Sequence, residues 1–162
     1  MMSARIHAVI LALLSAGTLA LGSARAMDAP NPEPKEPKDP KLAQARDAIG
    51  KKDWARAQEA LREAVAKNPQ KADLHSLYAY SIRMGANPAM DLVFRHYNEA
   101  LRLEPRHRGA HEYIGEAYLM TGNLAKAKEH LAQLDQLCTF GCKEYTKLKQ
   151  AVAEFEQRQA KK

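Results

Sequence analysis

Cysteine and tryptophan are scarce in this chain. Its 162 residues include one tryptophan and only two cysteines, Cys138 and Cys142. Two thiols fall short of the four Cys or His ligands of a structural zinc site. The chain also lacks a glycine-rich phosphate loop, an HExxH zinc motif and the nucleophile elbow of hydrolases. We therefore expect no cofactor, no bound metal and no enzymatic activity.

The charge of the chain is mildly basic and diffuse. It has 25 Lys and Arg against 19 Asp and Glu. Arg5 and Arg25 lie in a segment that we expect to be removed, which leaves 23 basic and 19 acidic residues and a net charge of +4. Nucleic-acid-binding proteins carry a denser basic patch. We therefore expect no nucleic-acid partner.

Residues 1–26 have the features of a secretory signal peptide. Arg5 precedes an apolar run from Ala8 to Leu21, and the segment ends in the small-residue sequence Ala24-Arg25-Ala26. The run is shorter than the roughly 20 residues of a membrane-spanning helix. We expect export to the periplasm of a Gram-negative bacterium, with no integral membrane segment after cleavage.

Residues 27–40 are rich in proline. The stretch from Met27 to Lys41 holds five of the eight prolines and alternating charges. Such a composition cannot bury a core, and it favours an extended, disordered spacer.

From residue 41 onward, apolar residues recur at helical spacing, with no alternating run that would indicate a strand. Helix-breaking sequences interrupt this pattern at residues 50–53, 68–69, 85–88, 104–105 and 121–123. Pro69 and Pro105 are 36 residues apart, and a period of this size indicates repeated helix pairs. Asn87 and Pro88 predict an N-cap, with proline at the first helical position, for the second helix of the middle pair.

The residues of these segments resemble the tetratricopeptide repeat family. Residues 113–131, YIGEAYLMTGNLAKAKEHL, carry the family's Gly115, Tyr118, Gly122 and Ala127 at its characteristic spacing. Residues 51–69 and 77–105 resemble parts of two earlier repeats. The resemblance implies an all-α, right-handed solenoid of about three helix pairs over residues 41–139.

Residues 140–162 predict a capping helix and a tail. Tyr145, Leu148, Val152 and Phe155 form one apolar stripe on an otherwise charged segment. Solenoids need such a helix to cover the last apolar face.

The resemblance also implies a binding site. In this family the first helix of each pair lines a concave groove, where a segment of another protein docks. The repeat register assigns to this groove Arg46, Asp73, Ser76, Tyr80, Arg83, Glu112, Glu116 and Leu119. Tyr80 and Arg83 lie one helical turn apart, so we expect them to hold an apolar side chain and a carboxylate.

One ligand class of the family is not supported by the sequence. Members that bind the C-terminal carboxylates of chaperones use lysine and asparagine at fixed positions. Leu42, Arg46, Leu77, Gly109 and Tyr113 lie near those positions here.

Cys138 and Cys142 lie at the joint between the last repeat and the capping helix. Two cysteines in an exported chain most simply form one disulfide, and Gly141 can supply the turn that brings them together. A redox-active pair or a metal site remains the alternative, although the spacing is CxxxC rather than CxxC.

The histidines suggest no strong site. His107 and His111 are four residues apart and can present two imidazoles on one helix face, but a third ligand is missing. We expect His75, His96 and His130 to be single side chains, either packed or solvated.

Three functional hypotheses follow. The first is an exported adaptor that binds a periplasmic or envelope protein in the groove. The alternative is a redox or metal-handling accessory protein that acts through Cys138 and Cys142. Self-association through the free N-terminal face is a weaker third hypothesis.

Overall fold

The computed structural model describes residues 40–161, which form seven α-helices and no strand. The helices are α1 (Pro40–Gly50), α2 (Trp54–Lys67), α3 (Ala72–Arg83), α4 (Met90–Leu103), α5 (Arg108–Met120), α6 (Leu124–Leu137) and α7 (Lys143–Ala160). The predicted signal peptide, and the proline-rich spacer up to residue 39, lie outside the described residues. No helix within residues 40–161 has the length and apolar character needed to cross a membrane.

The helices form three consecutive pairs and one additional helix. α1 packs on α2, α3 on α4, and α5 on α6, while α7 packs on both α5 and α6. The first helices of neighbouring pairs also meet, because α3 contacts α5 and α5 contacts α7. The predicted all-α helical repeat is therefore confirmed.

Side chains cap four of the helices, α2, α5, α6 and α7. Asp53 accepts a hydrogen bond from the Arg56 amide at 3.2 Å, and Asn123 accepts one from the Lys126 amide at 3.1 Å. These caps satisfy amides that have no partner inside the first helical turn. His107 caps α5 in the same way through its Nδ1 atom, 3.1 Å from the Ala110 nitrogen.

The predicted N-cap of α4 is wrong. This helix begins at Met90, and its N-cap is Ala89, which makes no side-chain capping bond. The Val93 amide donates to the Ala89 carbonyl at 3.0 Å, so the first helical hydrogen bond forms two residues later than an Asn87 cap requires. Asn87 and Pro88 instead lengthen the turn between α3 and α4.

Small residues allow the helices to approach closely. Ala57, Ala64 and Ala100 have no exposed surface. A Cβ atom added to Gly115 of α5 would lie 2.5 Å from Leu148 Cδ2 of α7, closer than any normal contact. The absence of that carbon therefore determines how closely α7 packs on α5.

Candidate protein-binding site

The residues predicted to line the groove divide into accessible and buried groups. Arg46 and Asp73 are exposed, and Tyr80 and Glu116 are half-buried. The buried members are Ser76 at 2% exposure, Arg83 at 7%, Glu112 at 2% and Leu119 at 8%. Only the first group offers a partner appreciable surface.

Two of the buried residues form ion pairs between neighbouring helices. Arg83 of α3 donates through Nη2 to Glu116 Oε2 of α5 at 2.6 Å, and its Nη1 lies 3.7 Å from Met120 Sδ. Glu112 of α5 pairs with Lys147 of α7 at 3.2 Å. Burial raises the pKa of the Glu112 carboxyl, and Lys147 offsets this only in part. These ion pairs therefore join the helices that form the site.

Three aromatic side chains from α2, α3 and α5 lie in contact. The Tyr80 ring centroid is 5.9 Å from that of Trp54 and 4.8 Å from that of Tyr113. The Arg83 guanidinium carbon lies 5.5 Å from the Tyr80 ring centroid. Tyr80 thus connects aromatic residues from the first, second and third helix pairs.

Two exposed methionines occur at equivalent helix ends. Met84 follows the last residue of α3 and is 40% exposed, while Met120 ends α5 and is 54% exposed. They are 36 residues apart, which is also the spacing of Pro69 and Pro105. The groove residues predicted from the sequence do not include these methionines. Their 36-residue spacing was the signal that could have identified them. We call the set Trp54, Tyr80, Met84, Tyr113 and Met120 the aromatic–methionine surface.

A cavity of about 200 Å³ adjoins Met120 and Arg83. Its lining residues come from α3, α5 and α7: Arg83, Glu116, Leu119, Met120, Ala151, Glu154 and Arg158. The volume is below the roughly 300–1,000 Å³ of sites for drug-sized ligands. Its size and its mixed apolar and charged lining suit a single side chain of a partner.

The family comparison agrees with this architecture. The sequence model of the tetratricopeptide repeat matches residues 42–85 and 95–139, more than half of the chain. The chain belongs to the tetratricopeptide repeat family. A search of curated proteins finds no match.

Solved structures show the same fold. The tetratricopeptide chain is similar to the TPR2B domain of yeast Sti1, solved in complex with pHsp70, with a TM-score of 0.65 and 19% identity; the match covers 73% of this chain and 94% of that one. It is also similar to TTC0263, a thermophilic TPR protein of Thermus thermophilus, with a TM-score of 0.62 and 20% identity, over 76% of this chain and 67% of that one. At these identities the likeness concerns the fold alone.

Cys138 and Cys142 form a disulfide between the third tetratricopeptide pair and α7. Gly141 lies between them in the left-handed backbone region, with φ of +82°, a conformation that favours glycine. Cys142 is also the N-cap of α7, and its Sγ accepts from the Tyr145 amide at 3.4 Å. Phe140 is fully exposed in this loop.

Two pairs of histidines bridge the helices of the second and third tetratricopeptide pairs. His75 Nδ1 lies 2.8 Å from His96 Nδ1, and His111 Nδ1 lies 2.9 Å from His130 Nδ1. The expectation that His75, His96 and His130 stand alone is therefore wrong. Helix packing brings together residues that are 21 and 19 positions apart in the sequence.

His107 and His111 do not converge on a common point. His107 Nε2 lies 3.0 Å from Asp73 Oδ1, whereas His111 Nε2 lies 3.0 Å from the Pro105 carbonyl oxygen. Within residues 40–161, no group of three or more His, Cys, Asp or Glu side chains has an arrangement that could hold a metal ion.

Proposed function

We propose that this protein is an exported adaptor that binds a segment of a periplasmic or envelope protein along the exposed surface of its first helices. The observation that carries the proposal is the aromatic–methionine surface beside a side-chain-sized cavity. Tetratricopeptide repeat proteins typically act in protein–protein interaction, and the fold is consistent with that role.

The chemistry of the surface favours a peptide segment with apolar anchors. Tyrosine, tryptophan and methionine are enriched where proteins bind one another. Tyrosine and tryptophan bury large areas at low entropic cost, whereas methionine fits irregular surfaces because it is flexible and polarizable. The flexible Met84 and Met120 side chains can adapt to an inserted residue. Arg46, Asp73 and Arg158 are exposed and can provide polar contacts to the same segment.

Arg83 has a supporting role in this proposal. Its Nη2 atom is engaged by Glu116, and the side chain is 6% exposed. It lies over the ring of Tyr80 and holds that ring in place, rather than contacting a partner carboxylate directly. The contact surface is therefore Tyr80 itself, together with its aromatic neighbours.

Site-specific photo-crosslinking tests the proposal. A photoreactive phenylalanine analogue at position 80 should capture a partner in the envelope of the producing bacterium, and mass spectrometry should identify one recurring segment. The same analogue at position 140 is the matched control, because Phe140 is fully exposed and lies in the disulfide loop. Equal capture at both positions, or capture only at position 140, would contradict the site.

The proposed export has a separate test. Protein recovered from the periplasm should begin at Met27, immediately after Ala26. N-terminal sequencing checks this cleavage site. An intact Met1 on the cell-associated protein would contradict cleavage without affecting the binding proposal.

A further inference from the structure

The two histidine pairs occupy equivalent positions in successive repeats. His75 and His111 are 36 residues apart, as are Pro69 and Pro105, and His96 and His130 are 34 residues apart. In each pair, the histidine of the first helix is 6% exposed. The same arrangement therefore joins α3 to α4 and α5 to α6.

Hydrogen bonding assigns the protons of the first pair. His75 Nε2 lies 2.9 Å from the Pro69 carbonyl oxygen, which can only accept, so this nitrogen carries the proton. The neutral His75 ring then has a lone pair on Nδ1, and His96 must donate to it from its own Nδ1. His96 Nε2 remains as the position for one additional proton.

The second pair follows the same pattern. His111 Nε2 donates to the Pro105 carbonyl at 3.0 Å, and His111 Nδ1 accepts from His130 Nδ1. Each pair can therefore hold one additional proton without losing a hydrogen bond. A second proton would have to bind Nδ1 of the first-helix histidine, which removes the bond between the rings and places two cations in contact.

Nearby charges do not relieve this conflict. His96 experiences the repulsion of Arg95 and the attraction of Glu99, but Glu99 already accepts two hydrogen bonds from Arg102, at 2.8 and 2.7 Å. Burial lowers the pKa of His96 to about 4, with His75 and Arg95 adding to the effect.

The second pair has a similar environment. Lys126 opposes protonation of His130, and Glu129, which favours it, is paired with Lys126 at 2.7 Å. Burial, with a smaller contribution from the neighbouring His111, lowers the pKa of His130 to about 4. The pKa of His111 is also lowered, chiefly by burial, and His107 contributes in the same direction.

We propose that the two histidine pairs are acid-sensitive joints, which hold α3 to α4 and α5 to α6 at neutral pH and open when a pair must accept a second proton. Four of the five residues of the aromatic–methionine surface, all but Trp54, lie on or directly after α3 and α5, so opening the joints disturbs that surface. The proposal concerns the fold, and it holds whether or not the surface binds a partner.

A third histidine acts in the opposite direction. The hydrogen bond with Asp73 raises the pKa of His107, although the added proton occupies Nδ1 and displaces the Ala110 amide that caps α5. The charged contact between α5 and α3 therefore stabilises the fold below the ordinary histidine pKa of about 6.5 and is lost as pH rises. Acid therefore loosens the joints within the second and third repeats while it strengthens the contact between them.

The sign of the main effect follows from proton linkage. An unfolded chain protonates its histidines below about pH 6.5, whereas each folded pair binds at least one proton fewer than its two histidines would bind in the unfolded chain. With two pairs, the unfolding constant should rise at least about 100-fold as the pH falls from 6 to 5, which is tenfold for each proton taken up.

Urea unfolding of the exported chain at pH 8, 7, 6 and 5 tests the proposal. The double variant His96→Gln/His130→Gln removes one titrating ring from each pair and keeps a hydrogen-bonding side chain. The glutamine amide can present its oxygen to a protonated Nδ1 of His75 or His111, so each remaining ring can take up its proton in the folded protein. We therefore expect the unfolding constant of this variant to rise no more than about tenfold between pH 6 and pH 5. If the unfolding constant rose by the same factor between pH 6 and pH 5 in the wild type and in the double variant, the proposal would be overturned.

His107→Asn is the matched control. Asparagine preserves the N-cap of α5 but removes the contact with Asp73. Between pH 6 and pH 5 this variant should keep the wild-type slope. As the pH falls from 8 to 6, its unfolding constant should rise more steeply than that of the wild type, because the variant lacks the stabilising contact between charged His107 and Asp73. If the unfolding constant of His107→Asn rose less than that of the wild type between pH 6 and pH 5, loss of any histidine would weaken the pH dependence. That result would also overturn the proposal.

Imidazole ¹⁵N NMR provides a test that does not depend on the variants folding. The wild-type spectrum at pH 7 should show a proton on Nε2 of His75 and His111 and on Nδ1 of His96 and His130. A folded protein in which both histidines of one pair become cationic would rule out the acid-sensitive joint.

Discussion

At the scale of single residues, the side chains that position the helices are easily mistaken for ligand contacts. Arg83 and Leu119 are 36 residues apart and occupy the same place in two successive repeats. The repeat register correctly placed them on first helices. It could not determine how far each helix is rotated, and a small rotation separates an exposed groove position from one buried against the next helix.

Gly115 allows a sharp test of close packing. Gly115→Ala places a Cβ atom 2.5 Å from Leu148 Cδ2. The Leu148 side chain is fully buried, so it has little room to move away. We expect a loss of about 1–3 kcal/mol in the free energy of unfolding, measured with urea. Gly50→Ala, where no atom lies within 4 Å of the added carbon, should cost nothing. Equal effects at the two positions would contradict this account.

The ion pair between Arg83 and Glu116 gives a second prediction. Arg83→Met leaves the Glu116 carboxylate without its partner, and we expect it to lower the free energy of unfolding by about 1–3 kcal/mol. The double variant Arg83→Met/Glu116→Leu removes both charges and should recover part of that loss. The loss in the free energy of unfolding should be smaller for the double variant than the summed losses of Arg83→Met and Glu116→Leu. A larger loss than that sum would show that the pair does not act as described.

At the scale of helices, α7 is held by a disulfide at its start and by packing along its length. Tyr145, Leu148, Val152 and Phe155 of the predicted apolar stripe all contribute to one hydrophobic cluster with residues of α5 and α6. Helical periodicity could predict this stripe. It could not predict the histidine pairs, because their partners lie on different helices, although equal repeat positions gave a hint.

The disulfide gives a third prediction. Cys138→Ser/Cys142→Ser opens a loop with a sequence separation of four residues, and the chain-entropy estimate for so short a loop is about 2 kcal/mol. Serine at position 142 retains an N-cap for α7. Cys138→Ser/Cys142→Ala should lose about 1 kcal/mol more, because alanine cannot cap. Thermal or urea unfolding distinguishes the variants, and equal stability of the two would contradict the capping role.

At the scale of the whole molecule, the family and the all-α repeat could be predicted because tetratricopeptide repeats place small residues and turns at fixed intervals. The residues of the aromatic–methionine surface could not be predicted with equal success. Met84 and Met120 are exposed at the ends of α3 and α5, and the exposure of a side chain at a helix end depends on how the neighbouring helices pack. The sequence therefore predicts the fold better than it predicts which residues a partner can contact, because side-chain exposure depends on packing between helices.

The most direct test of the central claim is a binding titration with the segment identified by crosslinking. Calorimetry should give a dissociation constant at least about tenfold weaker for Tyr80→Ala, a loss of about 1.4 kcal/mol or more, as expected for a central aromatic contact. Met84→Glu should weaken binding in the same direction, while Phe140→Ala should match the wild type. Unchanged affinity for correctly folded Tyr80→Ala and Met84→Glu would place the partner elsewhere and contradict the proposed site.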